Sequence, residues 1–305
     1  MPRAANGDLT LEYDEAGDPA GDVILLIMGL GAQLTAWRDG FRDLLVDQGF
    51  RLIRFDNRDA GLSSKTGSAA PGLRELVPLL VPGPRRWNAP YTLSDMASDA
   101  IAVLDAAGVA RAHVVGASLG GMIAQTLAIE HPDRVRSLTS IMSKTGAAGV
   151  GLPKPAILRN VIRPRPAARS DIIEHDLARA QLIAGPHFDR DRMREYLEFA
   201  FDRCYHPEGF ALQTAAMLAS GDRTKALRRL RLPTLVIHGR VDPLVALSGG
   251  EATAKAIVGS KLVVHNDMGH DLPRPLWASL TNSIVSHVRM AADLERDTPI
   301  SPAIS

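Results

Sequence analysis

The 305-residue chain has a single cysteine, Cys204, so it can form no intramolecular disulfide, no cysteine-based zinc site and no CxxC redox pair. That thiol reads as buried and inert. Excess charge is missing too. Lys plus Arg number 35 against 34 Asp plus Glu, a net charge of +1, which leaves no overall field for holding nucleic acid or an anionic membrane. The longest clean apolar run is Val23 to Met28, far below the roughly 20 residues that span a bilayer. Met1 to Glu15 is polar and acidic, without the apolar stretch and small-residue cleavage site of a secretory signal. These absences lead us to expect a cytoplasmic protein that binds a small, mostly neutral molecule, with no nucleic-acid partner and no integral membrane segment. The composition does not choose between a monomer and a homodimer.

Enough apolar residues are present, at 46%, to bury a sizeable core, and 23% charged residues is near the globular average, which disfavours disorder, collagen-like repeats and coiled coil. Short apolar runs of strand length recur at Val23 to Met28, Arg51 to Phe55, Ala112 to Gly116, Ser137 to Met142, Thr234 to His238 and Lys261 to His265. Both faces of each run are mostly apolar, as in strands of a parallel sheet covered on both sides. Between them lie helical patterns. Thr92-Leu-Ser-Asp95 has the form of a capping box, followed by Met96, Ala100, Ile101, Leu104 and Ala107 at helical spacing until Gly108. Strand alternating with helix predicts a doubly wound α/β sheet.

Two stretches break the rhythm. About ninety residues separate Lys144 from Arg231, several times what one crossover helix requires. We therefore expect a core domain formed by 1–143 and 232–305, with 144–231 inserted as a helical cap. Within the insertion, Ile172 to Ile183, Met193 to Phe201 and Ala211 to Leu218 read as amphipathic helices. The second break, Thr66 to Pro90, holds Leu73 to Leu80 and Trp87 where a short loop would do, and the tail from Asp297 reads as disordered.

The chemistry-bearing feature is Gly116-Ala-Ser-Leu-Gly120, a G-x-S-x-G string placed where a strand ends and the helical pattern from Met122 begins. A serine hydroxyl is a poor nucleophile at neutral pH and needs a base that an acid orients. Asp242 and His270 follow Ser118 in chain order, each on a loop after a strand run, at the carboxyl edge where α/β sheets place their sites. Asp267 is the competing acid, being close to His270 in sequence. Asp242 is favoured because a separate strand end can reach the far imidazole nitrogen. Two backbone N–H groups should bind a developing oxyanion, one from Leu119 and one from Leu30 in the loop after the first apolar strand. Gly29-Leu-Gly31 lacks the third glycine of a dinucleotide-binding loop and any Walker lysine. Gly29, Gly31, Met122 and Leu244 are candidate substrate-pocket residues, and the leucines from Leu73 to Leu80 would line its mouth. Asp56, Asn57, Arg58 and Asp59 read as salt-bridged turn residues beneath the site and not as catalysts.

Ile27-Met-Gly-Leu-Gly31, Phe55-Asp-Asn-Arg-Asp-Ala-Gly-Leu-Ser63, Val115-Gly-Ala-Ser-Leu-Gly-Gly121, Gly239-Arg-Val-Asp-Pro243 and Gly269-His270 together resemble the α/β-hydrolase superfamily. Within it the chain is most similar to bacterial carboxylesterases and lipases of the aclacinomycin methylesterase type, over roughly Leu9 to Arg289. The resemblance implies an α/β-hydrolase fold: a mostly parallel sheet of eight strands, helices on both faces, a cap over the pocket. It also implies hydrolysis of a small-molecule carboxylic ester by a Ser118, His270, Asp242 triad, with no cofactor and no metal. One departure is Met28-Gly29, where many members carry His-Gly. Methylesterases, thioesterases and C–C bond hydrolases share the triad and differ in the pocket. A non-catalytic ligand receptor is the rival from another class, and three occupied triad positions argue against it.

Overall fold

A computed structural model describes residues 1–71, 89–157 and 166–297. Leu73 to Leu80, Trp87, residues 158–165 of the expected cap and the tail beyond Asp297 lie outside the described residues. An eight-stranded sheet forms the centre, with strands β1 (Arg3–Asn6), β2 (Leu9–Ala16), β3 (Val23–Ile27), β4 (Arg51–Phe55), β5 (Ala112–Ala117), β6 (Val135–Ile141), β7 (Thr234–Gly239) and β8 (Lys261–His265). Their spatial order is β1-β2-β4-β3-β5-β6-β7-β8. β1 and β2 are antiparallel to their neighbours, and every pairing from β4 to β8 is parallel.

The alternation of a strand explains why its sequence reads as one apolar run. Leu25 and Ile27 of β3 point into the core on one face, Ile24 and Leu26 into the core on the other. Val114 and Val115 of β5 divide the same way. Helices α2 (Leu93–Ala106) and α3 (Leu119–Glu130) cover the first face through Met96, Val103, Ile123 and Leu127; α1 (Asp39–Val46) and α9 (Trp277–Asp297) cover the second through Phe41, Leu45, Ile284 and Val288. Each such side chain, fully removed from water, contributes about 1.5–3 kcal/mol. The capping box at the start of α2 forms as its residues suggest, with Thr92 accepting from the Asp95 N–H and Asp95 accepting from the Thr92 N–H.

Two strands have no counterpart in the apolar-run reading. β1 and β2 carry ion pairs in place of apolar runs: Arg3 Nε lies 2.9 Å from Glu12, and Asp14 meets Arg54 of β4 at 2.8 Å. Of the two only β1 is an edge strand; β2 lies between β1 and β4, and its Glu12 and Asp14 are accommodated because each meets an arginine. Between β6 and β7 stand α4 (Arg169–Ile183), α5 (Arg190–Arg203), α6 (Glu208–Ala219) and α7 (Thr224–Leu227), longer by two or three residues at several ends than the predicted helices; α8 (Ser248–Ala256) joins β7 to β8. Cys204, expected to be buried, is half-buried at the C-terminus of α5. Asp202 and Tyr205 on either side are exposed, so this end of α5 is not sealed from water.

Candidate active site

Parallel strands deliver their carboxyl ends to one edge of the sheet, and backbone strain gathers there. Among the described residues three non-glycine residues have positive φ: Asp59 at 61°, Ser118 at 56° and Met142 at 42°, following β4, β5 and β6. Such backbone costs on the order of 1–3 kcal/mol per residue and must be held by its surroundings. For Ser118 the holding groups are visible. Its N–H donates to Ile141 O at 2.9 Å, and Ser143 Oγ donates to Ser118 O at 2.8 Å. The flanking glycines are obligatory for packing: a Cβ on Gly116 would lie 2.1 Å from Gly120 O, and one on Gly120 would lie 2.1 Å from Ile27 O.

Ser118, His270 and Asp242 meet at this edge. His270 Nε2 is 2.9 Å from Ser118 Oγ, and His270 Nδ1 is 2.7 Å from Asp242 Oδ2. A carboxylate oxygen only accepts, so Nδ1 carries the proton and Nε2 is free to take the one from the serine hydroxyl. The Asp242 side chain is fully enclosed, and its second oxygen accepts from the N–H groups of Leu244 at 2.9 Å and Val245 at 2.8 Å. The rival acid is turned elsewhere. Asp267 Oδ2 hydrogen-bonds His187 Nε2, which holds the Asp267 carboxyl below its ordinary value. His238 lies behind Asp242, 3.7 Å from Oδ2, donates from Nε2 to Val245 O, and burial pushes its pKa down, which keeps it neutral.

The loop after β3 runs beside the serine. A Cβ on Gly29 would stand 3.1 Å from Ser118 Cβ and 3.2 Å from Ala117 O. Leu30 and Leu119, the expected N–H donors, therefore flank Ser118 from two elements, Leu119 as the first residue of α3, where a backbone N–H has no intrahelical acceptor. Of the candidate pocket residues, Met122 is buried on the core side of α3, Leu244 is half-buried beside Asp242, and Gly31 faces the Phe210 ring of α6, which a Cβ there would approach to 3.2 Å.

Three groups hold this loop: Asn57 and Asp56, from the turn read above as bracing residues, and Gln213, which has no motif signature. Asn57 Nδ2 donates to Met28 O at 3.0 Å. Asp56, enclosed completely, accepts from the N–H groups of Leu34 and Leu62 and pairs with Arg203 of α5 at 2.8 Å. Gln213 of α6 accepts from Gly31 N–H and donates to Arg58 O, each at 2.8 Å. Arg58 itself pairs with buried Asp99 at 2.6 Å. The turn residues Asp56 to Arg58 thus brace the floor of the site. Asp271, next to His270, accepts from Gly269 N–H and Gly185 N–H at 3.1 Å each, while burial pushes its carboxyl above the ordinary range. Among the described residues no group of three or more His, Cys, Asp or Glu side chains could hold a metal ion, and no helix is long and apolar enough to cross a membrane.

A family profile described as the alpha/beta hydrolase fold matches residues 22–170, and a second, described as TAP-like protein, matches residues 214–287. The rhodomycin D methylesterase of Streptomyces peucetius is 29% identical over 94% of this chain and 97% of its own. The 2-hydroxymuconate semialdehyde hydrolase of Pseudomonas sp. strain CF600 is 30% identical over 82% of this chain and 81% of its own. Among solved structures, the enol-lactonase of Burkholderia xenovorans LB400 superposes with a TM-score of 0.72 at 22% identity, covering 94% of this chain and all of that one (100%), a likeness of fold.

Proposed function

The chain belongs to the α/β-hydrolase family, and from that membership we propose that it hydrolyses carboxylic esters of small molecules through an acyl-enzyme on Ser118. The observation that carries this reading is the continuous hydrogen-bonded line from Ser118 Oγ through His270 to buried Asp242. The Oγ–H proton passes to His270 Nε2 as Oγ attacks the acyl carbon. The carbonyl oxygen becomes an oxyanion held by the Leu30 and Leu119 N–H groups, and Asp242 stabilises the imidazolium. Collapse breaks the bond to the leaving alcohol, which takes the proton from His270. Water, deprotonated by the same imidazole, attacks the acyl-enzyme, and the carboxylic acid leaves as Ser118 regains its proton. Short to medium acyl esters suit an edge lined by Leu30, Leu244 and Phe210. The segment 144–231 serves as the cap in this reading, since α5 and α6 reach the loops after β3 and β4 through Arg203, Gln213 and Phe210.

Similarity to the 2-hydroxymuconate semialdehyde hydrolase favours one second reading, cleavage of a C–C bond beside a carbonyl. A panel of p-nitrophenyl esters of graded chain length, thioesters and a vinylogous diketone separates the two. The ester reading predicts the highest kcat/KM on an ester, and a fall of about 10⁴-fold or more for Ser118→Ala with the fold intact. A diketone preference, or near-normal ester turnover by Ser118→Ala, contradicts it.

A further inference from the structure

The short segment from Ile183 to His187, between α4 and α5, lies directly on the loop that carries His270. Ile183 O accepts the His270 backbone N–H at 2.7 Å. Two residues on, Gly185 N–H reaches Asp271 Oδ1 at 3.1 Å, and the same oxygen takes Gly269 N–H at 3.1 Å, so one half-buried carboxylate joins the two segments. Further along, His187 Nε2 is bonded to Asp267 Oδ2. The backbones touch without room for a side chain: a Cβ on Gly185 would be 2.6 Å from Gly269 N and 2.8 Å from Asp267 O, and one on Gly269 would be 2.2 Å from Gly185 N. His270 is therefore fixed at three points, its ring nitrogens by Ser118 and Asp242 and its backbone by the inserted segment.

We propose that Ile183 to His187 and Asp271 form a clamp that sets the place of the His270 imidazole, with Asp271 as its positioning residue. The inserted segment is then part of the catalytic centre at this end, and does not swing clear of it as a free lid. This rests on the reading of His270 as the catalytic base. The reason for expecting a kinetic effect is geometric. Proton transfer requires Nε2 within hydrogen-bond reach of Oγ, and a displacement of about 1 Å in such a group can cost about 10²-fold in rate. Neither Asp271 nor Gly185 touches the reacting atoms, so their effect on rate passes through His270 alone.

The test uses the full chain and two readouts: kcat and KM for p-nitrophenyl butyrate, and the second-order rate of labelling by a fluorophosphonate, at a temperature where circular dichroism shows each variant folded. Asp271→Ala and Gly185→Ala are expected to lower kcat and the labelling rate by about 10–100-fold with KM changed less than about threefold. Asp271→Asn keeps an oxygen that accepts both N–H groups and is expected to recover most of the loss. Should Asp271→Ala fail to fold, Gly185→Ala against Asp271→Asn carries the comparison. Folded variants with kcat within about twofold of wild type, or an Asp271→Asn as impaired as Asp271→Ala, overturn the clamp while leaving the triad reading in place. A wild-type protein that takes no fluorophosphonate and hydrolyses no ester overturns the triad reading, and the clamp with it.

Discussion

Single residues divide by how far their partners lie along the chain. Ser118 was legible from its own pentapeptide, and Asp242 and His270 from following strand ends in a fixed order, because topology carries those three to one edge regardless of the intervening chain. Leu30 was legible only as a loop position. Gln213 and Asp271 were not legible at all. Gln213 lies 182 residues from Gly31 and 155 from Arg58, and Asp271 lies 86 from Gly185, so no local pattern marks them. The turn Asp56 to Arg58 was legible as a set of braces, although its partner Arg203 was not. Arg203 and Asp56 are an enclosed pair, with side chains 8% and 0% exposed. Removing one member strands a buried charge. Arg203→Leu is expected to lower unfolding free energy by about 3 kcal/mol, read from urea denaturation. A change below about 0.5 kcal/mol, the size of an exposed pair, would show that water reaches Asp56.

At the scale of elements, apolar strands announce themselves and charged strands do not. The six strands from β3 to β8 were legible within one or two residues at their ends, since each is a mostly apolar run; β3 to β7 are largely buried, whereas β8, at the far edge, is only partly so. β1 and β2 were hidden by Glu12 and Asp14, whose charges are neutralised by Arg3 and Arg54. The strand-to-helix turn at Ser118 offers an element-scale test, because its glycines meet different neighbours. A Cβ on Gly120 strikes the backbone oxygen of Ile27 at 2.1 Å, whereas one on Gly121 meets the Ser143 side chain at 2.6 Å. At Gly120 the three nearest atoms are all backbone, Ile27 O, Ile27 C and Met28 O, whereas at Gly121 the nearest is Ser143 Cβ, which no rotamer moves but which overlaps less deeply. Gly120→Ala is expected to cost about 3 kcal/mol, at the upper end of overpacking, and Gly121→Ala clearly less. Equal losses in urea unfolding would mean that the turn yields as a unit.

For the whole molecule, the length of the stretch between β6 and β7 was legible in the sequence, while its contacts with the sheet edge could be seen only in three dimensions. Arg203, Gln213 and Ile183 reach loops after β3, β4 and β8, so this helical stretch meets the site on several sides. Global stability should respond to acid through histidines far from that edge. Burial lowers His113 to about 3 and His287 to about 4, against an unfolded value of about 6.5. Below that unfolded value the unfolded chain takes up protons that the native state refuses. The stabilisation is thus complete above about pH 6.5 and is lost as pH falls toward 4, by about 1.4 kcal/mol per pH unit for each histidine. Asp271, raised by burial, acts in the opposite direction, its contribution being lost as pH rises. His287→Gln should flatten the urea midpoint profile between pH 6.5 and 4; a slope unchanged from wild type would mean that His287 is protonated in the native state. The central claim, that Ser118 is the nucleophile of a hydrolase, is tested most directly by treating the protein with a fluorophosphonate and locating the adduct by peptide mass spectrometry. One adduct per chain on the peptide containing Ser118, absent from Ser118→Ala and slowed strongly in His270→Ala, is the expected result; no adduct, or one on another serine, would contradict the account.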